Sequence, residues 1–234
     1  MKKTLTLKCN NVSYRYTKSR LVLKDININL NAGDTYGLIG PNGAGKTTLI
    51  NILLGNMTPF KGDVSIYEHH IIKGRKIAYY CGYVPESINI PGYITGYDYL
   101  SLMQGIESPL DETKLEYLSN CLFFTEIHQR IADYSKGAQK KLLIINALLG
   151  KPSFLFFDEP TDGLDPDSRK NFKDLIHEQR LNNVTILLSS HVLDEVRDTC
   201  NKIGIMQNGQ LTHTIENDGF NKNISDIYFR LKKG

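Results

Sequence analysis

No stretch of this 234-residue chain approaches the roughly 20 consecutive apolar residues that a membrane-spanning helix requires. The longest apolar runs, around Leu142–Leu149 and Val184–Leu188, are short and suit core elements. A role at a membrane therefore has to come through a partner. Cysteine is scarce, and Cys9, Cys81, Cys121 and Cys200 form no close pair and no metal-ligand spacing. That argues against a disulfide scaffold and points to reduced thiols in a cytosolic protein. Charge of one sign is lacking too. Lys and Arg total 28 against 25 Asp and Glu, a net charge of +3, without the clustered basic face of a nucleic-acid binder. The opening MKKTLTLKC carries the lysines of a secretory leader, but Thr4-Leu5-Thr6-Leu7-Lys8 alternates and builds no apolar segment. The sequence contains no internal repeat, low-complexity tract or linker. At this length and 41% hydrophobic content it is expected to form one large domain or a domain with a subdomain.

Strand and helix signals alternate through most of the chain. Residues 4–30 predict short strands, TLTLKC, VSYRY and VLKDININL, with Asn10-Asn11 as a turn and an antiparallel edge as the result. Thr35–Ile39 predicts a strand, followed by a glycine-rich loop and a helix from about Lys46 to Leu54 with Gly55 at its end. Asp63–Tyr67 and Ala78–Val84 predict further strands. From about Pro91 to Gly150 the periodicity turns helical, over Thr95–Met103, Asp111–Cys121 and Lys136–Leu149. Alternation then resumes over Ser153–Phe157, Asp167–Arg180, Val184–Ser189, Val192–Asp198 and Ile203–Met206. Asn208-Gly209 is a strong hairpin signal before Gln210–Thr214, and Ile224–Lys232 suits a closing helix. The outline is a single α/β domain over 1–234: a core lobe of about 1–86 and 151–234, and a helical subdomain of about 87–150.

Residues 154–166 read FLFFDEPTDGLDP. Four apolar residues of a buried strand run straight into Asp158 and Glu159, and charge there is costly unless something positive meets it. Residues 40–48 read GPNGAGKTT, which fits G-x-x-x-x-G-K-[ST] between an apolar strand and a helix. Gly40, Pro41, Asn42, Gly43, Ala44 and Gly45 let the backbone wrap around phosphates. The N–H groups running on through Lys46, Thr47 and Thr48 point at the anion. Lys46, taken as a surface cation with no part in the core, is expected at the outer phosphates, and the Thr47 hydroxyl on Mg²⁺. A strand ending in Asp158 is then expected beside the strand that feeds this loop. Asp158 would hold Mg²⁺ through water, and Glu159 would polarise the water that attacks the γ-phosphate. The strand–loop–helix setting argues against reading GPNGAGKTT as a glycine-rich turn with a surface lysine; FLFFDEP alone reads better as an acidic loop after a core strand, and only its pairing with GPNGAGKTT makes it part of a nucleotide site.

The all-helical stretch between Lys46 and Asp158 is unlike small GTPases and nucleotide kinases, and it contains YSKGAQKKL, residues 134–142. With these segments the sequence resembles the ATP-binding subunits of ABC transporters over essentially its whole length. The resemblance implies a P-loop NTPase (ABC ATPase) with a RecA-like core, an N-terminal antiparallel β edge and an inserted helical subdomain. It implies ATP and Mg²⁺ as cofactors, separate integral membrane subunits as partners, no nucleic acid, and a second copy or a paralogous ATPase subunit completing a dimer. The location implied is cytoplasmic, on the inner face of the cell membrane. Glu159 and His191 take the catalytic positions, His191 as the switch histidine after an apolar strand. Ser135, Lys136 and Gly137 fall in the signature and Asp165 in the D-loop, both facing ATP on the other subunit. Thr47, Glu86 and Asp158 take the metal positions. Tyr16, in VSYRY, matches the residue that stacks on adenine, or is an ordinary strand tyrosine.

Two departures stand out. The signature reads Tyr-Ser-Lys-Gly-Ala rather than Leu-Ser-Gly-Gly-Gln, so Lys136 either adds charge near the phosphates or is simply solvated. Glu86 replaces the usual glutamine of the Q-loop; it can still ligate Mg²⁺ but has no amide N–H to donate. Both departures, and GYITGYDYL at 92–100, resemble the daunorubicin-resistance-type export subgroup. Tyr93, Tyr97 and Tyr99 offer a docking surface for the membrane subunit, or form an ordinary helix with core tyrosines. The chain ends soon after the core, which is expected to leave no room for the regulatory extension of many sugar importers. A soluble ABC ATPase acting on a non-membrane partner remains the alternative.

Overall fold

The structure is a computed structural model that describes residues 6–18, 20–66, 69–70, 80–87, 90–105 and 109–216. The helix expected over Ile224–Lys232 lies outside the described residues, as do the first residues of the strands expected from Thr4 and Ala78.

Two sheets carry the fold. β1 (Thr6–Thr17) pairs antiparallel with β2 (Arg20–Asn31) on one side and β4 (Lys61–Ile66) on the other, and β5 (His69–His70) extends β4. Asn10-Asn11 is not a turn. β1 runs straight through it, because Asn11 takes a left-handed φ of 49° and one extra residue on β1 is absorbed between the Cys9↔Ile28 and Val12↔Ile26 pairs. This is a β-bulge, and asparagine is among the residues that tolerate that conformation.

The second sheet has the order β10-β9-β3-β8-β7-β6. β3 (Thr35–Ile39), β6 (Cys81–Val84), β7 (Phe154–Asp158), β8 (Thr185–Ser190) and β9 (Lys202–Gln207) run parallel. β10 (Gln210–Glu216) returns antiparallel at the edge. Asn208 and Gly209 both have positive φ, 49° and 77°, as the predicted two-residue hairpin turn requires. The strand that ends in Asp158 is not beside the strand that feeds the glycine loop: β8 lies between them. β8 is buried over its full length, which an interior place in a covered parallel sheet demands.

The helices are α1 (Lys46–Leu53), α2 (Gly96–Gln104), α3 (Glu112–Cys121), α4 (Lys136–Leu149), α5 (Pro166–Leu181) and α6 (Leu193–Thr199). Thr95, Asp111, Ser135 and Asp165 start α2 to α5, each accepting a backbone N–H three residues on. β7 feeds two cores through its pleat. Phe154 and Phe156 face Leu49, Ile50 and Leu53 of α1 and the antiparallel sheet, while Leu155 and Phe157 face the apolar side of α4. Each such side chain contributes roughly 1.5–3 kcal/mol by leaving water.

α6 is seated directly on β3. A Cβ at Gly37 would stand 2.1 Å from Val196 Cγ1 and 2.9 Å from Cys200 Sγ. Gly37→Ala is therefore expected to destabilise by about 1–3 kcal/mol, the usual cost of overpacking. An unchanged urea midpoint would contradict this seating.

Strand register brings the ends of four strands level. Ile39 lies opposite Ser190, Ser189 opposite Asp158, and Phe157 opposite Val84. The segments after β3, β8, β7 and β6 thus all leave the carboxyl edge side by side, which is where open α/β sheets bind ligands.

Candidate functional site

A cleft of about 360 Å³ opens at that edge. It is lined by the 42–48 loop region together with Tyr16, Arg20, Glu86, Asp158 and Glu159. Gly45 precedes α1 at φ 105° and gives the helix no side-chain cap. The first-turn N–H groups, which have no partner within a helix, are therefore presented to the cleft rather than satisfied by a serine or aspartate. A Cβ at Gly45 would also stand 2.7 Å from Leu23 Cδ2 and 2.9 Å from Met206 Cε, so conformation and space both select glycine.

Lys46 is not a surface cation. It is 7% exposed, and its ammonium donates to the Gly40 carbonyl at 2.8 Å and the Pro41 carbonyl at 3.4 Å. It also stands 3.2 Å from Glu159 Oε1 in an ion pair. The reason is its place at the start of α1, which aims the side chain back over its own loop. Glu159 takes a left-handed φ of 49°, a conformation costly for a non-glycine residue and concentrated at functional sites. Its N–H donates to the Ser189 carbonyl and hydroxyl, both at 3.2 Å. Its Oε2 lies 2.9 Å from His191 Nδ1 and accepts the His191 backbone N–H at 3.3 Å. One carboxylate thus joins the lysine of the phosphate loop to the histidine after β8.

Asp158 is completely buried. Its Oδ1 accepts the Ser189 hydroxyl at 2.5 Å, while Oδ2 has no hydrogen-bond partner among the described residues. Thr47 and Glu86 are exposed around the same cleft. Tyr16 also reaches it: its hydroxyl lies 3.2 Å from Thr48 Oγ1, and the ring stays largely exposed. Close by, Tyr83 on β6 has its phenol pushed up to about 12 by burial, with Asp158 and Glu86 adding to the rise.

Other predicted residues sit elsewhere. Ser135, Lys136 and Gly137 are not among the residues lining this cleft. Ser135 accepts the Ala138 N–H at 3.0 Å, and Gly137 packs so tightly on the 162–165 segment that a Cβ would stand 2.5 Å from the Gly163 carbonyl oxygen. Lys136 is largely solvated, 3.9 Å from Asp162. Asp165 caps α5 through the Ser168 N–H and hydroxyl and pairs with Lys141 at 2.9 Å. Those hydrogen bonds, the Ser168 backbone first, hold its carboxyl far below the usual carboxylate range. Tyr99 is a core residue, and Tyr97 donates to Glu112 at 2.6 Å, so of the three tyrosines only Tyr93 stands out into solvent.

Residues 23–162 match the family described as ABC transporter. The chain belongs to that family. This ABC ATP-binding chain is 33% identical over 204 residues to an uncharacterized ABC transporter ATP-binding protein, YdbJ of Bacillus subtilis (strain 168), covering 86% of its own length and 66%, just under two thirds, of that protein. Over 217 residues it is 35% identical to the bacitracin transport ATP-binding protein BcrA of Bacillus licheniformis, covering 88% of itself and 69% of that protein. A solved structure of the ATP-binding subunit of an ABC transporter superposes with a TM-score of 0.83 at 28% identity, over 97% of this chain and 99% of that one. The fold is that of a P-loop NTPase of the ABC ATPase type.

Three residues of the site escape a reading of the sequence. Ser189 braces both acidic residues, and its signal is its position two before His191. Glu195 Oε2 accepts the Thr161 hydroxyl at 2.8 Å and the Ser190 hydroxyl at 2.9 Å, tying the segment after Glu159 to the segment before His191. Lys140 sits on the buried face of α4; its signal is a lysine with Ile144 and Ala147 at helical spacing.

Proposed function

We propose that the chain binds ATP with Mg²⁺ in this cleft and hydrolyses it to drive transport by separate membrane subunits. The observation that carries the reading is the fully buried Asp158 whose Oδ2 has no partner among the described residues, beside the glycine-rich loop. An unpaired buried carboxylate oxygen is costly, and a hard cation held by oxygens meets it. The residues fit the ion: Thr47, Glu86 and Asp158 are all oxygen donors lining one cleft. Mg²⁺, when bound, offsets phosphate charge.

The chain's own groups do the rest. The 43–48 amides and Lys46 hold the phosphates. On ligand entry Lys46 exchanges its loop carbonyls for phosphate oxygens, which frees Glu159 to accept a proton from water. His191, fixed to Glu159 Oε2, keeps that carboxylate aimed at the γ-phosphate position. Tyr16 covers the base. Ser135 and Gly137 act on ATP held by a second subunit, since both lie away from their own cleft. Asp165 acts there through the shape of its loop, because its carboxylate is already committed to Ser168 and Lys141.

Tyr93, Leu102 and Met103, exposed by 80%, 62% and 53%, are the docking surface for a membrane subunit. Among the described residues no helix is long and apolar enough to cross a membrane, and the inner face of the cell membrane is the proposed location. The daunorubicin-type resemblance favours export, and the bacitracin transport relative favours a role in transport.

Lys46→Ala tests the site. A lost charged contact corresponds to roughly 10- to 100-fold weaker MgATP binding, read by calorimetry. The variant also leaves Glu159 without its cation, so a moderate loss of thermal stability is expected beside the loss of affinity. Unchanged affinity in the folded variant sinks the assignment.

A further inference from the structure

Lys140 is 3% exposed, yet no carboxylate lies within ion-pair distance among the contacts of the described residues. Its ammonium instead donates to two backbone carbonyls, those of Pro85 at 3.0 Å and Glu86 at 2.9 Å. Burial lowers its proton affinity from the ordinary lysine value, with Asp162 and Asp158 opposing that effect. A charge carried this deep is expensive, and an apolar side chain would suit the buried face of α4 better. What Lys140 achieves is a double tether between α4 and the turn that follows β6. Its neighbour Lys141 does the equivalent for the other loop, pairing with Asp165 at 2.9 Å. α4 therefore begins at Ser135 and, a turn later, holds the Glu86 loop with one lysine and the Asp165 loop with the next.

We propose that Lys140 is a positioning residue for Glu86: it fixes the Glu86 backbone to α4, so that the Glu86 carboxylate stays at the metal side of the cleft and moves only when α4 moves. Glu86 follows Pro85 at the end of a short strand of four residues, β6, and its side chain is exposed. Among the described contacts its position rests on these two carbonyl hydrogen bonds. A change at Ser135 in the cap of α4 is thereby passed to Glu86 in the same chain. In a dimer this links the signature that serves the partner's nucleotide to the metal site that serves the chain's own. The inference rests on the proposed metal role of Glu86.

Two readouts on the full-length chain test it. Lys140→Met keeps the aliphatic stem and removes the donors; Lys140→Gln keeps two N–H donors without the charge. Resistance of the Glu86–Ser87 peptide bond to a Glu-specific protease, read by mass spectrometry of the cleaved chain, reports the tether itself, because its carbonyl is the one that Lys140 holds. Lys140→Met should lose protection there, and Lys140→Gln should retain more of it. Calorimetry with a non-hydrolysable ATP analogue across a Mg²⁺ series reports the consequence. Lys140→Met should need roughly tenfold more Mg²⁺ for half-maximal affinity, the scale of lost hydrogen bonds to a charged group. The same change in a Glu86→Ala background should add nothing, while Lys141→Met should leave the Mg²⁺ dependence where it is. Unaltered protection at Glu86 and Ser87 in Lys140→Met overturns the tether. A Mg²⁺ shift that persists in the Glu86→Ala background overturns the route through Glu86. A Glu86→Ala single variant with wild-type Mg²⁺ dependence removes the metal role of Glu86 and the Mg²⁺ half of this inference with it, and the protection from cleavage then judges the tether alone. Should Lys140→Met fail to fold, Lys140→Gln carries both readouts, and full protection together with a tenfold Mg²⁺ shift in that variant overturns the proposal.

Discussion

Glu159→Gln is expected to bind MgATP with near wild-type affinity and to hydrolyse it roughly 10²–10⁴-fold more slowly, the range for loss of a general base. The substitution keeps the length and shape of the side chain. It removes the charge that Lys46 faces at 3.2 Å and the carboxylate that His191 Nδ1 meets at 2.9 Å. Affinity should survive because the proposed phosphate contacts are those of the loop amides and Lys46. Lys46 is, if anything, freer to leave the Gly40 and Pro41 carbonyls once Glu159 is neutral. A moderate loss of stability is expected as well, since neutralising Glu159 leaves the buried Lys46 ammonium with only its loop carbonyls. Phosphate release measures the rate, and calorimetry the binding. His191→Ala is the informative companion. It leaves the carboxylate in place but lets it swing, so it should be less damaging than Glu159→Gln. If His191→Ala is the more damaging of the two, the base is His191 and Glu159 serves to orient it.

The parallel core and both halves of the proposed nucleotide site are legible in the sequence because each rests on local chemistry. GPNGAGKTT needs a strand before it and a helix after it; FLFFD needs a buried strand to carry it; Asn208-Gly209 needs only its own two residues. Helix starts are readable for the same reason: those expected at Thr95, Asp111, Lys136 and Asp167 lie within one residue of the observed starts. Strand order is not. Nothing in FLFFD or TILLSS says that β8 intervenes between β3 and β7, since a fully buried strand has no polar face to mark its neighbours. Asn10-Asn11 misleads because the same tolerance for left-handed φ serves a turn and a bulge alike. Lys46 reads as a surface cation in the sequence, yet the fold buries it against its own loop carbonyls and Glu159. The tethers of Lys140 and the clasp of Glu195 are likewise invisible, since their partners are backbone carbonyls and hydroxyls, all but Ser190 far away in the chain.

Mixing two inactive variants is expected to restore ATPase activity if each nucleotide is shared between two chains. Lys46→Ala removes the phosphate-loop cation. For the signature lesion, Gly137 is a poor choice, because any Cβ there meets the Gly163 carbonyl oxygen at 2.5 Å and the loss would be structural. Ser135→Asp avoids this. Ser135 starts α4 by accepting the Ala138 N–H, aspartate caps helices as well as serine does, and the new carboxylate repels a γ-phosphate at close range in a water-poor site. Each variant alone should fold, dimerise with its membrane subunits where turnover needs them, and stay silent. In a mixed dimer one site then has both lesions and the other has an intact Lys46 facing an intact Ser135. A tandem fusion of Lys46→Ala with Ser135→Asp should therefore hydrolyse ATP. A tandem fusion of the wild-type chain with the double variant should not, because there each site joins one good element to one bad one. Silence of both fusions would mean that turnover needs two complete sites. Sites contained within single chains reverse the two results: the first fusion is dead and the second is active, and Ser135 then has to be reassigned from the partner's phosphate to the cap of its own helix alone.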